Sequence, residues 1–192
     1  MAFTNLENKE INCKVLYLGA KGAGKTTNFE SIYKYSDQKL FGDGDRSEPP
    51  PTKFFEFIPI SLGYVQDFHV KLHLYTLPAS NIYETVFTVL LKGIDGFVFV
   101  FDSRLSAMHE NISHWNNMKE LMSKEGVNMV TLPRVLQYNK RDHPEAVSLE
   151  VLRQELNRGR QEDIEASAID SIGTMETVQM VAKQVLDKLS QV

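Results

Sequence analysis

Cysteine is almost missing from this sequence: Cys13 stands alone among 192 residues. An intramolecular disulfide is thereby excluded, and a cysteine-built metal site has too few ligands. Long apolar runs are missing as well. The longest, Phe97 to Phe101, is five residues, whereas a membrane span needs about 20. There is no basic excess either, with 21 Lys plus Arg against 25 Asp plus Glu and a formal charge of −4. That balance argues against bulk nucleic-acid binding. Residues 1–7 carry no basic region, apolar signal core or myristoylation glycine, and Leu189-Ser190-Gln191-Val192 offers no prenylation cysteine. The expectation is a cytoplasmic chain with no lipid anchor and no integral membrane segment. Its composition, 42% apolar and 24% charged, is that of an ordinary folded protein. The length fits one domain over residues 1–192.

Helical and extended patterns alternate along the chain. Residues 13–18 form a short apolar strand ending at Gly19, followed by a helical pattern through Phe29, Ile32 and Tyr33. Regularity dissolves between Asp37 and Thr52, around Pro49-Pro50-Pro51, which predicts a long loop. Residues 53–62 and 68–76 read as two strands of a hairpin turning around Gly63, with Pro59 favouring an edge position for the first. A helix is expected after Pro78, then a buried strand at 96–101, apolar on both faces and near the sheet centre. A helix at 106–125, a strand at 135–138, a helix at 148–158, a strand at 164–168 and a last helix through Val178, Val181, Val185 and Leu189 follow. Such alternation predicts a three-layer α/β domain with a mainly parallel sheet.

Two motifs carry chemistry. Gly19-Ala20-Lys21-Gly22-Ala23-Gly24-Lys25-Thr26 fits G-x-x-x-x-G-K-[ST] between a strand and a helix. Its glycines let backbone N–H groups wrap phosphates, the helix N-terminus adds partial positive charge, Lys25 adds a full one, and the Thr26 hydroxyl can meet Mg²⁺. Asn139-Lys140-Arg141-Asp142 ends a strand, where ligands of such sheets bind. A carboxylate at Asp142 can accept both N1–H and the exocyclic amine of guanine, an arrangement adenine lacks. Sites built on such hydrogen bonds discriminate by about 10⁴. Glu165-Ala166-Ser167-Ala168, after a short strand, can turn its backbone toward the same base. The expected nucleotide-binding set is Gly19, Gly22, Ala23, Gly24, Lys25, Thr26, Thr27, Asn139, Lys140, Asp142, Ser167 and Ala168.

These elements, in this order and across essentially the whole chain, resemble a Ras-like small GTPase, and more closely the bacterial MglA family, named for mutual gliding motility. The marks are Gly24-Lys25-Thr26-Thr27-Asn28, Thr52-Lys53-Phe54-Phe55-Glu56-Phe57, Leu72-His73-Leu74-Tyr75-Thr76-Leu77-Pro78, Gly93-Ile94-Asp95-Gly96, Phe101-Asp102-Ser103 and Asn139-Lys140-Arg141-Asp142. Thr76 replaces the aspartate of the eukaryotic second switch, as it does in the MglA family. The resemblance implies a P-loop GTPase fold with a six-stranded sheet and about five helices, GTP and GDP as ligands with Mg²⁺ held by Thr26 and Thr52, and a monomer as the free protein. It also implies two switch loops, GTP-dependent control of cell polarity, a roadblock-type activating protein and a polarity response regulator as partners, and recruitment to a cell pole.

The chain departs from the family at the catalytic positions. Pro51 stands where the family has an arginine, and Pro78-Ala79-Ser80 replaces Pro-Gly-Gln. Proline cannot stabilise a transferring phosphoryl group, Ser80 is too short to hold water as glutamine does, and the Ala79 methyl restricts the backbone. An arginine finger contributes about 10³ to 10⁵ in rate, so hydrolysis is expected to be slow. Lys21 and Arg46 are the cations close enough in sequence to substitute. The same departures leave open a nucleotide-independent interaction scaffold. An ATP-dependent kinase is disfavoured by Asp142 and by the lack of acceptor machinery.

The remaining polar candidates read as ordinary surface. His69 and His73, about 13 Å apart on a strand, are too distant for one ion and read as an exposed strand face. His109 and His114 diverge on a helix and read as solvated. Trp115 and its neighbouring methionines follow the core stripe. Ser80 has no histidine–acid partners for nucleophilic catalysis. Arg153, Arg158 and Arg160 alternate with Glu150, Glu155, Glu162 and Asp163 as a solvated face.

Overall fold

In a computed structural model, residues 3–39, 56–76 and 84–190 are described. Chain order gives β1 (Phe3–Asn5), β2 (Glu10–Leu18), α1 (Lys25–Lys39), β3 (Glu56–Val65), β4 (Phe68–Thr76), α2 (Glu84–Leu91), β5 (Gly96–Asp102), α3 (Met108–Lys124), β6 (Arg134–Asn139), α4 (Leu149–Leu156), β7 (Asp163–Glu165) and α5 (Thr174–Leu189). The sheet runs β3-β4-β2-β5-β6-β7, with β1 added antiparallel to β2. Pairings β2–β4, β2–β5, β5–β6 and β6–β7 are parallel. The expected six-stranded sheet is there, and β1 is the addition; at three residues it carries too little alternation to be read from sequence.

Alternation of side chains divides the core in two. Along β5, Val98 and Val100 face a cluster with Phe29 and Ile32 of α1 and Val178, Val181 and Val185 of α5. Phe97, Phe99 and Phe101 face the opposite cluster, with Phe87 of α2, Met118 and Met122 of α3, and Leu152 and Leu156 of α4. A strand covered on both faces reads as an uninterrupted apolar run, which is how 96–101 reads. Trp115 of α3 lies edge-on to Phe99 at 4.6 Å between ring centroids, on the expected core stripe. Among the described residues no helix is long and apolar enough to cross a membrane.

Three local expectations change. The hairpin between β3 and β4 turns at Gln66-Asp67, where Val65 faces Phe68 and Gln66 adopts φ 53°; Gly63 instead sits at a register shift within β3. β3 does form the sheet edge, as Pro59 demands. His69 and His73 are half-buried rather than exposed, satisfied by Ser61 Oγ at 2.7 Å and Asn12 Oδ1 at 2.8 Å. His114 is also half-buried, against Phe99 at 6.2 Å. Of the expected 37–52 loop, residues 37–39 are instead the end of α1, and the rest lies outside the described residues.

Candidate nucleotide site

After β2 the chain goes to one side of the sheet, and after β4 it crosses to β5 on the other. The C-terminal ends of β2 and β5 therefore flank a topological switch point, the place where such sheets bind ligands. The phosphate loop leaves β2 at this point. Gly19, Gly22 and Gly24 have φ of 142°, 76° and 99°, values that L side chains rarely adopt. A Cβ on Gly19 would come within 2.2 Å of the Val100 carbonyl oxygen, and one on Gly24 within 2.2 Å of Asn139 Nδ2. Gly22 has no such neighbour within 4 Å and faces open space. Loop curvature and close approach thus explain the glycines separately.

Lys25 opens α1 and is buried at 8% exposure. Its ammonium donates to the Gly19 carbonyl at 2.8 Å and the Ala20 carbonyl at 2.9 Å, so the cation folds back over its own loop. The loop is further held by Asn28, whose Nδ2 donates to the Gly24 carbonyl at 2.9 Å. Thr26, in the first turn of α1, is exposed, and Lys21 is exposed on the loop. A glycine-rich loop that leaves no room for a Cβ at Gly19 or Gly24, a lysine and a helix N-terminus fit a phosphate chain. An Mg²⁺ carried by such phosphates needs one or two protein oxygens. Thr26 is the expected ligand among the described residues; Thr52, the other expected ligand, lies outside them, as do Arg46, Pro51, Ala79 and Ser80.

One amide joins the two halves of the site. Asn139, 2% exposed at the end of β6, donates from Nδ2 to the Ala23 carbonyl at 2.8 Å and accepts at Oδ1 from the Ala168 N–H at 3.0 Å. Phosphate loop, β6 and the 165–168 loop are thereby in register. Asp142 is exposed, and its Oδ1 accepts from Ser167 Oγ at 2.8 Å, while Asp170 Oδ2 lies 2.6 Å from the same hydroxyl. A hydroxyl has one proton and serves one carboxylate at a time, leaving Asp142 with acceptor capacity for a base. The Ala166 carbonyl accepts from the Arg141 N–H at 3.0 Å, which fixes the 165–168 loop against the motif. Gly173, at φ 75°, starts α5 directly behind; a Cβ there would lie 2.3 Å from the Glu165 carbonyl oxygen.

The sequence profile of the ADP-ribosylation factor family matches residues 1–192. Mutual gliding-motility protein MglA of Myxococcus xanthus (strain DK1622) is 38% identical over 193 residues, covering 100% of this chain and 99% of that protein. The chain belongs to the MglA family of Ras-like GTPases. Ras-related protein Rab-3A, from Homo sapiens and from Macaca fascicularis, is 24% identical over 187 residues, spanning 96% of this chain and 79% of the relative.

In this MglA-family chain, hydrogen bonds join Asn139 to Ala23 and Ala168, Asp142 to Ser167, and Gly24 to Asn28. Several supporting residues carry no motif signal of their own. Gln137, fully buried on β6, donates from Nε2 to Asn28 Oδ1 and to Thr177 Oγ1, both at 2.8 Å; a polar residue inside an otherwise apolar strand was the available clue. Asp170 had none. His114 is the other surprise: its Nε2 is buried without a hydrogen-bond partner. Burial first, and the Lys25 charge second, hold its imidazole below the ordinary value, with Glu110 opposing. Among the described residues, a cleft of about 450 Å³ is lined by Trp115, Arg134, Leu156 and Gln161 toward the opposite end of β6.

Proposed function

We propose that the chain is a guanine-nucleotide switch whose two switch loops present different surfaces with and without a γ-phosphate. It serves a bacterial motility system, as the name of its Myxococcus xanthus relative says of that protein, and within it controls cell polarity. The observation that carries the reading is the Asn139 amide, which couples the phosphate loop to the base loop. Lys25 and the loop N–H groups bind the phosphates, Thr26 and Thr52 hold Mg²⁺, and Asp142, oriented by Ser167, reads guanine. Mg²⁺, when bound, neutralises charge on the β- and γ-phosphates. GTP drives the switch only through its difference in affinity for two conformations.

Turnover is slow in this reading, because Pro51, Ala79 and Ser80 replace the residues that stabilise the transition state and hold water. Neither Lys21 nor Arg46 restores the arginine. The partners are a roadblock-type activating protein and a polarity response regulator; the chain acts as a monomer in the cytoplasm and is recruited to a cell pole. The replaced residues also favour a second reading, a scaffold that engages partners in any nucleotide state.

Titration of nucleotide-stripped protein with fluorescent GTP, GDP and ATP in Mg²⁺ separates the readings. The switch predicts guanine-selective binding below about 1 μM, with Asp142→Asn shifting preference from guanine toward xanthine nucleotides. The scaffold predicts none up to about 1 mM. A single-turnover GTPase rate equal to that of the Myxococcus xanthus protein would overturn the slow-hydrolysis reading.

A further inference from the structure

Phe101-Asp102-Ser103 closes β5 beside the base-site strand, and no role described above uses the Asp102 carboxylate. Its side chain is 5% exposed. The buried Asn111 amide fixes the backbone there, accepting from the Asp102 N–H at 3.2 Å and donating to its carbonyl at 2.8 Å. Arg104 clamps the carboxylate: Nε lies 3.0 and 3.1 Å from the two oxygens, one guanidinium nitrogen 2.6 Å from Oδ2, and the Arg104 N–H 3.1 Å from Oδ1. One arginine in this geometry already neutralises one buried carboxylate. A second cation nevertheless reaches the same oxygen: Lys140 Nζ donates to Asp102 Oδ2 at 2.8 Å.

Lys140 sits between Asn139 and Asp142 with a left-handed backbone, φ 64°, a conformation that carries an energetic cost for a lysine. A free lysine would send its ammonium to water and leave its stem mobile. Here the stem runs from the base motif to an anchor that is itself immobilised by Arg104 and Asn111.

We propose that Asp102 is a positioning residue of the guanine site, anchoring the Lys140 ammonium so that the lysine stem forms a fixed wall of the base pocket. The proposal rests on the guanine-nucleotide reading above. Arg104 and Asn111 act one step further out, by holding Asp102. Charge is shared as well as shape. Burial pulls the Asp102 carboxyl upward, but hydrogen bonds from Arg104 and Lys140 outweigh it and keep it below the usual carboxylate range.

The test is the dissociation rate of fluorescent GDP from the full chain in Mg²⁺. Asp102→Asn is expected to speed release about tenfold, the scale of one charge-assisted hydrogen bond. Lys140→Met, which keeps a stem but loses the anchor, should also speed release, and adding Asp102→Asn to it should change nothing further. Arg104→Gln, which loosens the anchor but leaves Lys140 its hydrogen bond to Asp102, should speed release by less than Asp102→Asn does. An Asp102→Asn rate equal to wild type overturns the proposal, as does a full Asp102→Asn effect in the Lys140→Met background. Arg104→Gln reproducing the whole Asp102→Asn effect also overturns it, because Asp102 would then act through Arg104 alone. If Asp102→Asn does not fold, Lys140→Met decides, and an unchanged release rate refutes anchoring. Failure of the wild-type chain to bind GDP overturns the nucleotide reading itself, a result distinct from all of these.

Discussion

Two glycines of the phosphate loop respond differently to an added methyl group. Gly24→Ala meets both a left-handed backbone and the Asn139 amide at 2.2 Å, and the amide cannot yield without releasing Ala23 or Ala168. The variant should lose more than the 1–3 kcal/mol or so of backbone strain alone and should not bind GDP. Gly22→Ala meets only the backbone cost, about 1–2 kcal/mol, and should keep binding; thermal melting and GDP titration of both variants check the pair. At the same scale, burial pushes the Cys13 thiol up to about 12, with Asp95 adding to it. The thiolate is the reactive form, so a thiol reagent at pH 8 should label Cys13 only at the rate of unfolding.

At the scale of elements, β6 is the hinge of the site, because alternate residues serve core and ligand. Gln137 feeds Asn28 and Thr177, tying the strand to α1 and α5, while Asn139 ties it to both nucleotide loops. Gln137→Leu would leave two buried acceptors without their donor and should cost about 1–3 kcal/mol in urea unfolding. It should also accelerate nucleotide release, since Asn28 loses the partner that aims its own amide at the Gly24 carbonyl. Much of this arrangement was legible in the sequence. The phosphate loop and Asn139–Asp142 declare themselves because their chemistry demands particular residues at adjacent positions. Asn28, Asp102, Gln137 and Asp170 meet their partners only through the fold, across separations such as the 109 residues between Gln137 and Asn28, which no local pattern records. The half-burial of His114 was hidden for the same reason: its helix face is defined by Phe99, on another element.

For the molecule as a whole, stability should fall on acidification in two stages. His73 and His114 are held below the ordinary value of about 6.5, by burial first and then by the charges of Lys71 and Lys25, against Glu10 and Glu110. The unfolded chain releases that constraint. As pH drops through about 6.5 it takes up protons that the folded state refuses, so stability declines from there toward the folded-state values. The carboxyls of Glu10, lowered chiefly by its hydrogen bond from Lys71, and of Asp102 give the second stage. Their stabilisation is intact above about pH 4 and is lost as pH falls through their folded values. Urea midpoints at pH 7.5 and 5.5 should therefore differ, and His73→Gln with His114→Gln should flatten that interval while leaving the lower one.

Because β5 sends phenylalanines into one cluster and valines into the other, neither half of the core can come apart while the other survives. The amide hydrogens of residues 97–101 should accordingly exchange with deuterated solvent last of all, and only when the entire chain opens. Their exchange rate then serves as a gauge of global stability, readable at neutral pH without denaturant. If it slows when GDP is added, the slowing measures the affinity of the ligand through its preference for the folded chain.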